Sequence, residues 1–323
     1  MIFAGDIGAT KCNLALYQRQ DGKLLRVAQR RFLCRDYSGI DQIVSEFLGA
    51  THERPTAAAF GVAGPVVDNQ ARFTNRPWSV DGAALAAQLA LPQVNLYNDL
   101  ETTGYGLQQL ESADFFELNR GTPAPAANQL VLAAGTGLGE AILFWDGKRR
   151  RVSATEGGQS DFIARDETEI ELLRFLKRWF PGPVSQEMIL SGRGFRLLHD
   201  FFDPGMAHPS FAGKDGEDAE EITRNALEKK CPVCVRALNL WVSLYGSEGG
   251  NMALNTLARG GVFVAGGIAP KIVDKLKDGT FFEAFCDKWR FRAMLAQIPI
   301  HVILNEDCPL IGAAVCATQG VQA

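Results

Sequence analysis

The sequence has few histidines and no long apolar segment. Four of its 323 residues are histidine, and no apolar run approaches the roughly 20 residues that a transmembrane helix needs. The first residues lack both the basic region and the apolar core of a signal peptide. We therefore expect a cytoplasmic protein without a membrane partner.

An excess of basic residues is also missing. Lys and Arg total 33 against 37 for Asp and Glu, which gives a net charge of −4. Without a basic patch, the chain is a poor candidate for binding nucleic acid. The apolar share of 46% and the charged share of 22% are typical of a globular protein. Its length predicts two domains or one two-lobed unit.

Cysteine is present in an odd number, seven, and a cytoplasmic enzyme keeps such thiols reduced. Cys231 and Cys234 form a C-x-x-C motif. A zinc site needs a second pair of ligands or nearby histidines, and no histidine has a suitable spacing in the sequence. We therefore interpret this motif as two thiols at the start of a helix.

Strand and helix patterns alternate along the chain. Residues 2–5, 13–17 and 57–62 read as strands, and 170–180 reads as a helix preceded by a capping-box pattern. A strand, a turn and a second strand occur at 2–17 and again at 129–145. This weak internal repeat of topology predicts two related α/β lobes with a cleft between them.

Three glycine clusters each follow a predicted strand. Glycine allows backbone N–H groups to converge on an anion. The chain has no G-x-x-x-x-G-K-[ST] motif, which excludes a Walker A loop, and the second cluster precedes a strand, which excludes a dinucleotide fingerprint. What remains is a pair of β-hairpin turns that hold a triphosphate. The clusters are Gly5-Asp6-Ile7-Gly8-Ala9-Thr10, Gly135-Thr136-Gly137-Leu138-Gly139 and Gly266-Gly267.

Carboxylates form a second group of candidates. Asp6 lies inside the first glycine turn, where it suits Mg²⁺, because this ion takes one or two carboxylates together with phosphate oxygens. Asp99, preceded by Asn98, follows a strand at the sheet edge where α/β proteins bind ligands. Glu156 and Glu187 lie in loops. Asp, Glu and Asn accept the paired hydrogen bonds that a polyol donates.

Together the motifs resemble bacterial glucokinases of the ATP-dependent group A type, within the sugar kinase, actin and heat-shock protein superfamily. The resemblance covers residue 2 to about 316. It rests on GDIGATKCNLAL (5–16), FTNRPW (73–78), NLYNDLETTGYG (95–106), AAGTGLGEA (133–141), EGGQSDF (156–162), LSGRG (190–194), GGNMALN (249–255), GGVFVAGGI (260–268) and NEDCPLIGAA (305–314).

The resemblance implies an α/β, two-lobed actin-like (ribonuclease H-like) ATPase fold with a central cleft. A small domain would comprise 1–110 and 300–323, and a large domain 111–299. The 5–10 and 135–137 turns would bind ATP phosphates, Gly266 and Gly267 the adenosine, and Asp6 Mg²⁺. The sugar ligands would be Thr74, Asn75, Asn98, Asp99, Glu156, Gln159 and Glu187, with Asp99 as general base.

Two residues depart from the family pattern. Gln159 stands where the family usually has a histidine that contacts sugar hydroxyls, and a changed polar contact can alter specificity strongly. Ala9 stands where these glucokinases usually have glycine. If position 9 requires a positive φ, alanine there costs about 1 kcal/mol.

The activity implied by the resemblance is transfer of the γ-phosphoryl group of ATP to the 6-hydroxyl of glucose, the first step of glycolysis. A kinase for another hexose or amino sugar, and a non-catalytic sugar sensor, are the alternatives. The resemblance also implies a homodimer. Gly246, Gly249 and Gly250 would equally allow close packing of helices inside one subunit.

Overall fold

The computed structural model describes residues 1–8, 10–73, 78–205 and 217–319. The chain divides into two compact units. The small unit combines Met1–Ser112 with the segment that begins at Asn305, and the large unit is Ala113–Leu304. Among the helices of the described residues, none is both long enough and apolar enough to cross a membrane.

The two units are built from α-helices and β-strands. The strands are β1 (Ile2–Ile7), β2 (Lys11–Gln20), β3 (Lys23–Leu33), β4 (Ala57–Val62), β5 (Val66–Val67), β6 (Gln70–Arg72), β7 (Ser79–Asp81), β8 (Asn95–Asn98), β9 (Phe115–Asn119), β10 (Gln129–Ala134), β11 (Leu138–Trp145), β12 (Arg150–Thr155), β13 (Val262–Ala265) and β14 (Ile300–Ile303). The helices are α1 (Ile40–Thr51), α2 (Gly82–Leu89), α3 (Asp99–Leu107), α4 (Glu167–Trp179), α5 (Gln186–Ile189), α6 (Gly192–Phe202), α7 (Glu217–Leu227), α8 (Pro232–Thr256), α9 (Val273–Leu276), α10 (Thr280–Cys286), α11 (Arg292–Leu295) and α12 (Cys308–Gln319).

The small unit is organised around a five-stranded sheet in the order β3-β2-β1-β4-β8. Strand β1 is antiparallel to β2 and parallel to β4, which is parallel to β8. Successive residues of a strand point to opposite faces. On one face Phe3 stacks on Phe47 and meets Phe60 edge to face, while Ala4 on the other face packs with α12. Both faces are covered, which explains why β1 is almost entirely apolar.

Helices α3 and α12 approach each other closely in this unit. A Cβ atom added to Gly312 would lie 1.7 Å from the carbonyl oxygen of Thr102, and one added to Gly106 would lie 2.0 Å from that of Cys308. Only glycine fits at both positions. The C-terminal helix is thereby fixed against the same sheet that carries the N-terminal strand.

The large unit repeats this sheet. Its six strands follow the order β12-β11-β10-β13-β14-β9. The first five match the order of the small unit, with β10 antiparallel to β11 and parallel to β13. The predicted internal repeat is thus present in both sheets. Below the second sheet runs α8, whose Tyr245 Oη donates a hydrogen bond to the Leu132 carbonyl (2.9 Å).

Strand β14 belongs to the large unit. It pairs in parallel with β13 and antiparallel with β9. Residues 300–323 are predicted to lie in the small domain, whereas in the structure the chain joins the small unit at Asn305. The difference arises because a four-residue apolar segment does not indicate which sheet it will join.

The glycines of α8 pack against α10. A Cβ on Gly246 would lie 2.1 Å from the Phe281 carbonyl oxygen, and one on Gly250 would lie 2.3 Å from that of Phe285. Of the two roles that the sequence left open, helix packing within one subunit is therefore observed for these residues. The homodimer stays a prediction.

Candidate active site

The small unit places two candidate segments at one edge of its sheet. Strands β1, β4 and β8 run parallel, and Ile7 pairs with Val62, which pairs with Asn98. The turn after β1 and the pair Asn98–Asp99 therefore both follow the carboxyl ends of parallel strands. Adjacent strands lie about 4.8 Å apart, so these segments are about 10 Å from each other. Ligands of α/β sheets bind at this edge.

Asp6 lies near the end of β1. Its Oδ2 accepts a hydrogen bond from Asn13 Nδ2 (3.2 Å), and Asn13 Oδ1 accepts one from Arg31 Nε (2.9 Å). Burial raises the pKa of Asp6, although Asn13 and Arg31 act in the opposite direction. A partly buried carboxylate of this kind is a hard oxygen donor, so the chemistry of this residue fits Mg²⁺.

The first glycine cluster surrounds Asp6. Gly5 lies inside β1, where an added Cβ would be 2.2 Å from the Phe60 ring, and the Ile7 side chain is fully buried. These two residues therefore present only backbone to a ligand. The turn is closed by the Gly8 N–H, which donates to the Lys11 carbonyl (2.9 Å), and Thr10 is exposed.

Asn98 and Asp99 begin helix α3. Asn98 is the N-cap: its Oδ1 accepts from the Leu100 N–H (2.9 Å), and its Nδ2 donates to the Gly64 carbonyl (3.1 Å). Asp99 Oδ1 also accepts from the Leu100 N–H (3.0 Å). The positive end of the helix dipole stabilises a carboxylate here. Both side chains are partly exposed and have a defined orientation.

In the large unit, the second and third glycine clusters lie side by side. Gly135–Gly137 form the turn between β10 and β11, closed by the Gly135 N–H donating to the Gly137 carbonyl (2.8 Å). Gly266 has a φ of +85°, and a Cβ there would lie 2.3 Å from the Ala134 carbonyl oxygen. The backbone N of Gly267 lies 4.0 Å from the Cβ position of Gly135. Exposed Thr136 completes this turn.

Helix α6 also begins beside this turn. The start of this helix has no role assigned from the sequence. The N–H of Gly192 donates to the carbonyl of Gly135 (2.9 Å). The LSGRG motif at residues 190–194 could have predicted this arrangement. A serine shortly before two glycines is typical of a helix that begins close to another backbone segment.

Gln159 lies in a 3₁₀ turn, and Glu187 lies in the first turn of α5 rather than in the loop expected from the sequence. The Phe162 N–H donates to the Val184 carbonyl (2.7 Å), which aligns the two segments. Gln159 Nε2 then donates to Glu187 Oε1 (2.9 Å). The other oxygen, Glu187 Oε2, accepts from the backbone N–H of Leu138 (3.0 Å). One carboxylate thus links the sugar candidates to the glycine turn. Leu138 has no distinguishing sequence signal, because its backbone makes the bond.

Glu156 is exposed and precedes the 3₁₀ turn Gly157–Gln159. Under this turn lies Glu140, which sequence analysis did not single out. A Cβ on Gly157 would lie 1.9 Å from Glu140 Oε2. Burial, followed by the charge of Glu248, raises the pKa of Glu140 to about 8. In the sequence, the feature that marks Glu140 is an acidic residue inside an otherwise apolar strand.

Three predicted site residues, Ala9, Thr74 and Asn75, lie outside the described residues. The Phe73 N–H donates to the Trp78 carbonyl (3.2 Å). Trp78 is 7% exposed and packs in the core of the small unit.

The family model and the curated relatives agree on one family. The family model described as Glucokinase matches residues 3–320. The glucokinase of Nostoc sp. is 35% identical over 99% of each chain, and that of Synechocystis sp. is 36% identical over 98% of this chain and 97% of its own. Among solved structures, a glucokinase from an Antarctic psychrotroph has a TM-score of 0.86 at 28% identity, covering 98% of both chains.

A solved structure of lower sequence identity is also similar in fold. The ROK family glucokinase from Streptomyces griseus has a TM-score of 0.67 at 20% identity and covers 99% of both chains. The predicted fold class, α/β of the actin-like ATPase type, is thereby confirmed. The chain belongs to the glucokinase family of ATP-dependent sugar kinases.

Proposed function

We propose that this protein transfers the γ-phosphoryl group of ATP to the 6-hydroxyl of glucose. The observation that carries the proposal is the position of Asp99 at the start of α3, on the same sheet edge as the turn containing Asp6. Relatives named glucokinase support glucose as the sugar. The Streptomyces griseus structure is a complex with glucose and AMPPNP, which supports both ligands for this fold.

Asp99 acts as the general base. Phosphoryl transfer depends on in-line positioning and neutralisation of charge, and the protein forms no covalent intermediate. The Leu100 N–H and the helix N-terminus stabilise the Asp99 carboxylate in its ionised form. Its carboxylate accepts the proton of the 6-hydroxyl as that oxygen attacks the γ-phosphorus. Asn98, fixed by its bonds to Gly64 and Leu100, orients the sugar beside it.

The large unit carries sugar and nucleotide contacts of its own in this proposal. Glu187 and Glu156 accept hydrogen bonds from sugar hydroxyls, and Gln159 holds Glu187 through its amide. The 135–137 turn binds phosphate oxygens through its backbone N–H groups and the Thr136 hydroxyl. Adenosine binds beside Gly266 and Gly267. Thr74 and Asn75 contribute to the sugar site in the small unit.

Mg²⁺ belongs to this proposal because Asp6 is a suitable oxygen donor. The 5–10 turn binds phosphate, and Asp6 holds the ion. When bound, Mg²⁺ neutralises negative charge on the phosphate groups during transfer. Asn13 orients the Asp6 carboxylate for this role, and Arg31 in turn orients Asn13.

The test compares Asp99→Asn with Asp41→Asn, which removes an exposed acidic side chain from the first turn of another small-unit helix. ADP release is measured with ATP, Mg²⁺ and a panel of glucose, mannose, fructose, galactose, glucosamine and N-acetylglucosamine. We expect strong turnover with glucose, a kcat reduced at least about 10²-fold in the Asp99 variant, and wild-type turnover in the control.

Other outcomes have definite meanings. Near wild-type turnover by a folded Asp99→Asn enzyme would refute the general-base assignment. Preference for another sugar would refute glucose and implicate the polar contacts around Gln159. Thermal unfolding of both variants is measured to separate loss of catalysis from loss of structure.

The proposal extends to a cytoplasmic homodimer that carries out the first step of glycolysis, as the family resemblance implies. Light scattering on the purified protein tests the assembly. A mass twice the 35.2 kDa of one chain supports the dimer, and a mass of 35.2 kDa refutes it.

A further inference from the structure

Three metal-binding side chains lie together in the helical part of the large unit. His199 is in the last turn of α6, Cys231 is the N-cap of α8, and Cys234 is in the first turn of α8. One ligand atom from each lies within 4.8 Å of the other two. Sequence analysis found no histidine spaced to complement the C-x-x-C motif. The two thiols do lie at the start of a helix, as that analysis expected. A histidine 32 residues away in the sequence nevertheless lies beside them, because α6 packs on α8.

The cluster is buried, so a solvent-facing redox role does not suit it. His199 and Cys234 are fully buried, and Cys231 is 7% exposed. Reactive C-x-x-C pairs require an accessible thiolate, whereas buried cysteines are inert toward soluble oxidants. Two thiols and an imidazole held together in the interior are instead side-chain types that coordinate zinc.

The geometry is close to that of a zinc site. Zinc–sulfur bonds of about 2.3 Å place two tetrahedral sulfur ligands about 3.8 Å apart. The ligand atoms here are at most 4.8 Å apart, so small side-chain rotations that move these atoms by about 1 Å bring them to zinc-binding distances. The Cys234 N–H already donates to Cys231 Sγ (3.4 Å). This bond holds Cys231 Sγ at the start of α8.

A carboxylate stands behind the histidine. Asp200 Oδ1 lies 3.5 Å from His199 Nδ1, and Arg196 Nε donates to both oxygens of Asp200 (2.9 and 2.8 Å). Carboxylates commonly orient metal-bound histidines in this way and raise their basicity. A carboxylate therefore lies beside the histidine, in addition to the three ligands.

We propose that His199, Cys231 and Cys234 bind one Zn²⁺, with a single buried water as the fourth ligand. One imidazole and two thiolates match the preference of this ion. Two thiolates also neutralise the charge of the ion. This removes most of the free-energy cost of burying it, which an unpaired charge would incur in full. The ion joins the end of α6 to the start of α8. It lies about 10 Å along α6 from Gly192, at the end opposite the glycine turn.

Metal analysis of the full chain tests this proposal. Protein purified under reducing conditions without chelator is expected to contain about one zinc per chain. Cys231→Ser and Cys234→Ser are expected to lose it, whereas Cys286→Ser, which changes a buried cysteine of α10 in the same unit, is expected to retain it. Asp200→Asn should weaken zinc affinity about 10- to 100-fold in competition with a chromogenic chelator.

A second measurement does not depend on whether the variants fold. Cobalt added to metal-free wild-type protein is expected to show thiolate charge-transfer absorption and the visible bands of tetrahedral Co²⁺. The proposal is overturned if reduced wild-type protein binds neither metal at stoichiometric concentration. It is also overturned if folded Cys231→Ser and Cys234→Ser retain full zinc, or if the two cysteines are found in a disulfide without metal.

Discussion

Replacement of Glu140 by glutamine should make the protein more stable at neutral and alkaline pH. The side chain is fully buried, and neither carboxylate oxygen has a hydrogen-bond partner among the described residues. Glu248 and Tyr245 of α8 are the titratable groups that interact with it. Burial and Glu248 raise its pKa from 4.5 to about 8, so the folded protein resists ionising it.

The size and sign of the effect follow from that shift. Between pH 4.5 and about 8 the folded state keeps a proton that the unfolded state has released. The free energy of unfolding must therefore decrease as the pH rises through this range. One pKa unit corresponds to 1.36 kcal/mol, so the penalty is on the order of 3 kcal/mol at pH 7 and 5 kcal/mol above pH 8.

Urea unfolding of wild type and Glu140→Gln at pH 5, 6, 7 and 8 measures the effect. Glutamine remains neutral, so the variant should gain stability relative to wild type by about 3 kcal/mol or more from pH 5 to pH 8. Glu53→Gln, which changes an exposed glutamate, serves as the control and should show little pH-dependent difference. A difference between wild type and Glu140→Gln that is constant with pH would refute the reasoning.

Further predictions concern the sugar contacts, a cap and a helix crossing. Gln159→Glu and Glu187→Gln should each reduce kcat/KM for glucose at least about tenfold. The double variant should recover part of the loss, because the amide at position 187 can donate to the carboxylate at position 159. Additive losses of kcat/KM in steady-state assays would contradict this prediction. Asp81→Ala removes an acceptor for two N–H groups of α2 and should lower the free energy of unfolding in urea by about 1 kcal/mol. Gly246→Ala should lower the melting temperature markedly, since the new Cβ would lie 2.1 Å from the backbone of α10, while Gly49→Ala, with open space around it, should not.

Local patterns predict the core of each unit well. Ala57–Val62 is a strand at the expected residues, because six apolar or small residues bounded by turns suit a buried parallel strand. Asp166 caps α4 through the Glu169 N–H (2.9 Å), as expected. Glu169 itself pairs with Arg165, and its carboxylate accepts from the Arg165 backbone N–H (2.8 Å). The capping box is therefore only half formed.

Contacts between residues that are distant in the sequence cannot be predicted from local patterns. His199 and Cys231 are 32 residues apart in the sequence, and the packing of α6 on α8 brings them together. Glu140 reads as one acidic residue in a strand, and its unusual state depends on the Gly157 turn that covers it. These positions acquire their properties from neighbours that no local periodicity specifies.

The bond between Gln159 and Glu187 explains how the chain tolerates its departure from the family pattern at residue 159. Glu187 uses one oxygen for the Leu138 N–H at the glycine turn and the other for the amide of Gln159. What the carboxylate requires from residue 159 is one N–H donor, and glutamine and histidine both supply it. The substitution therefore preserves the link from the proposed sugar site to the glycine turn. It changes the second polar atom of residue 159, and any difference in sugar preference should originate there.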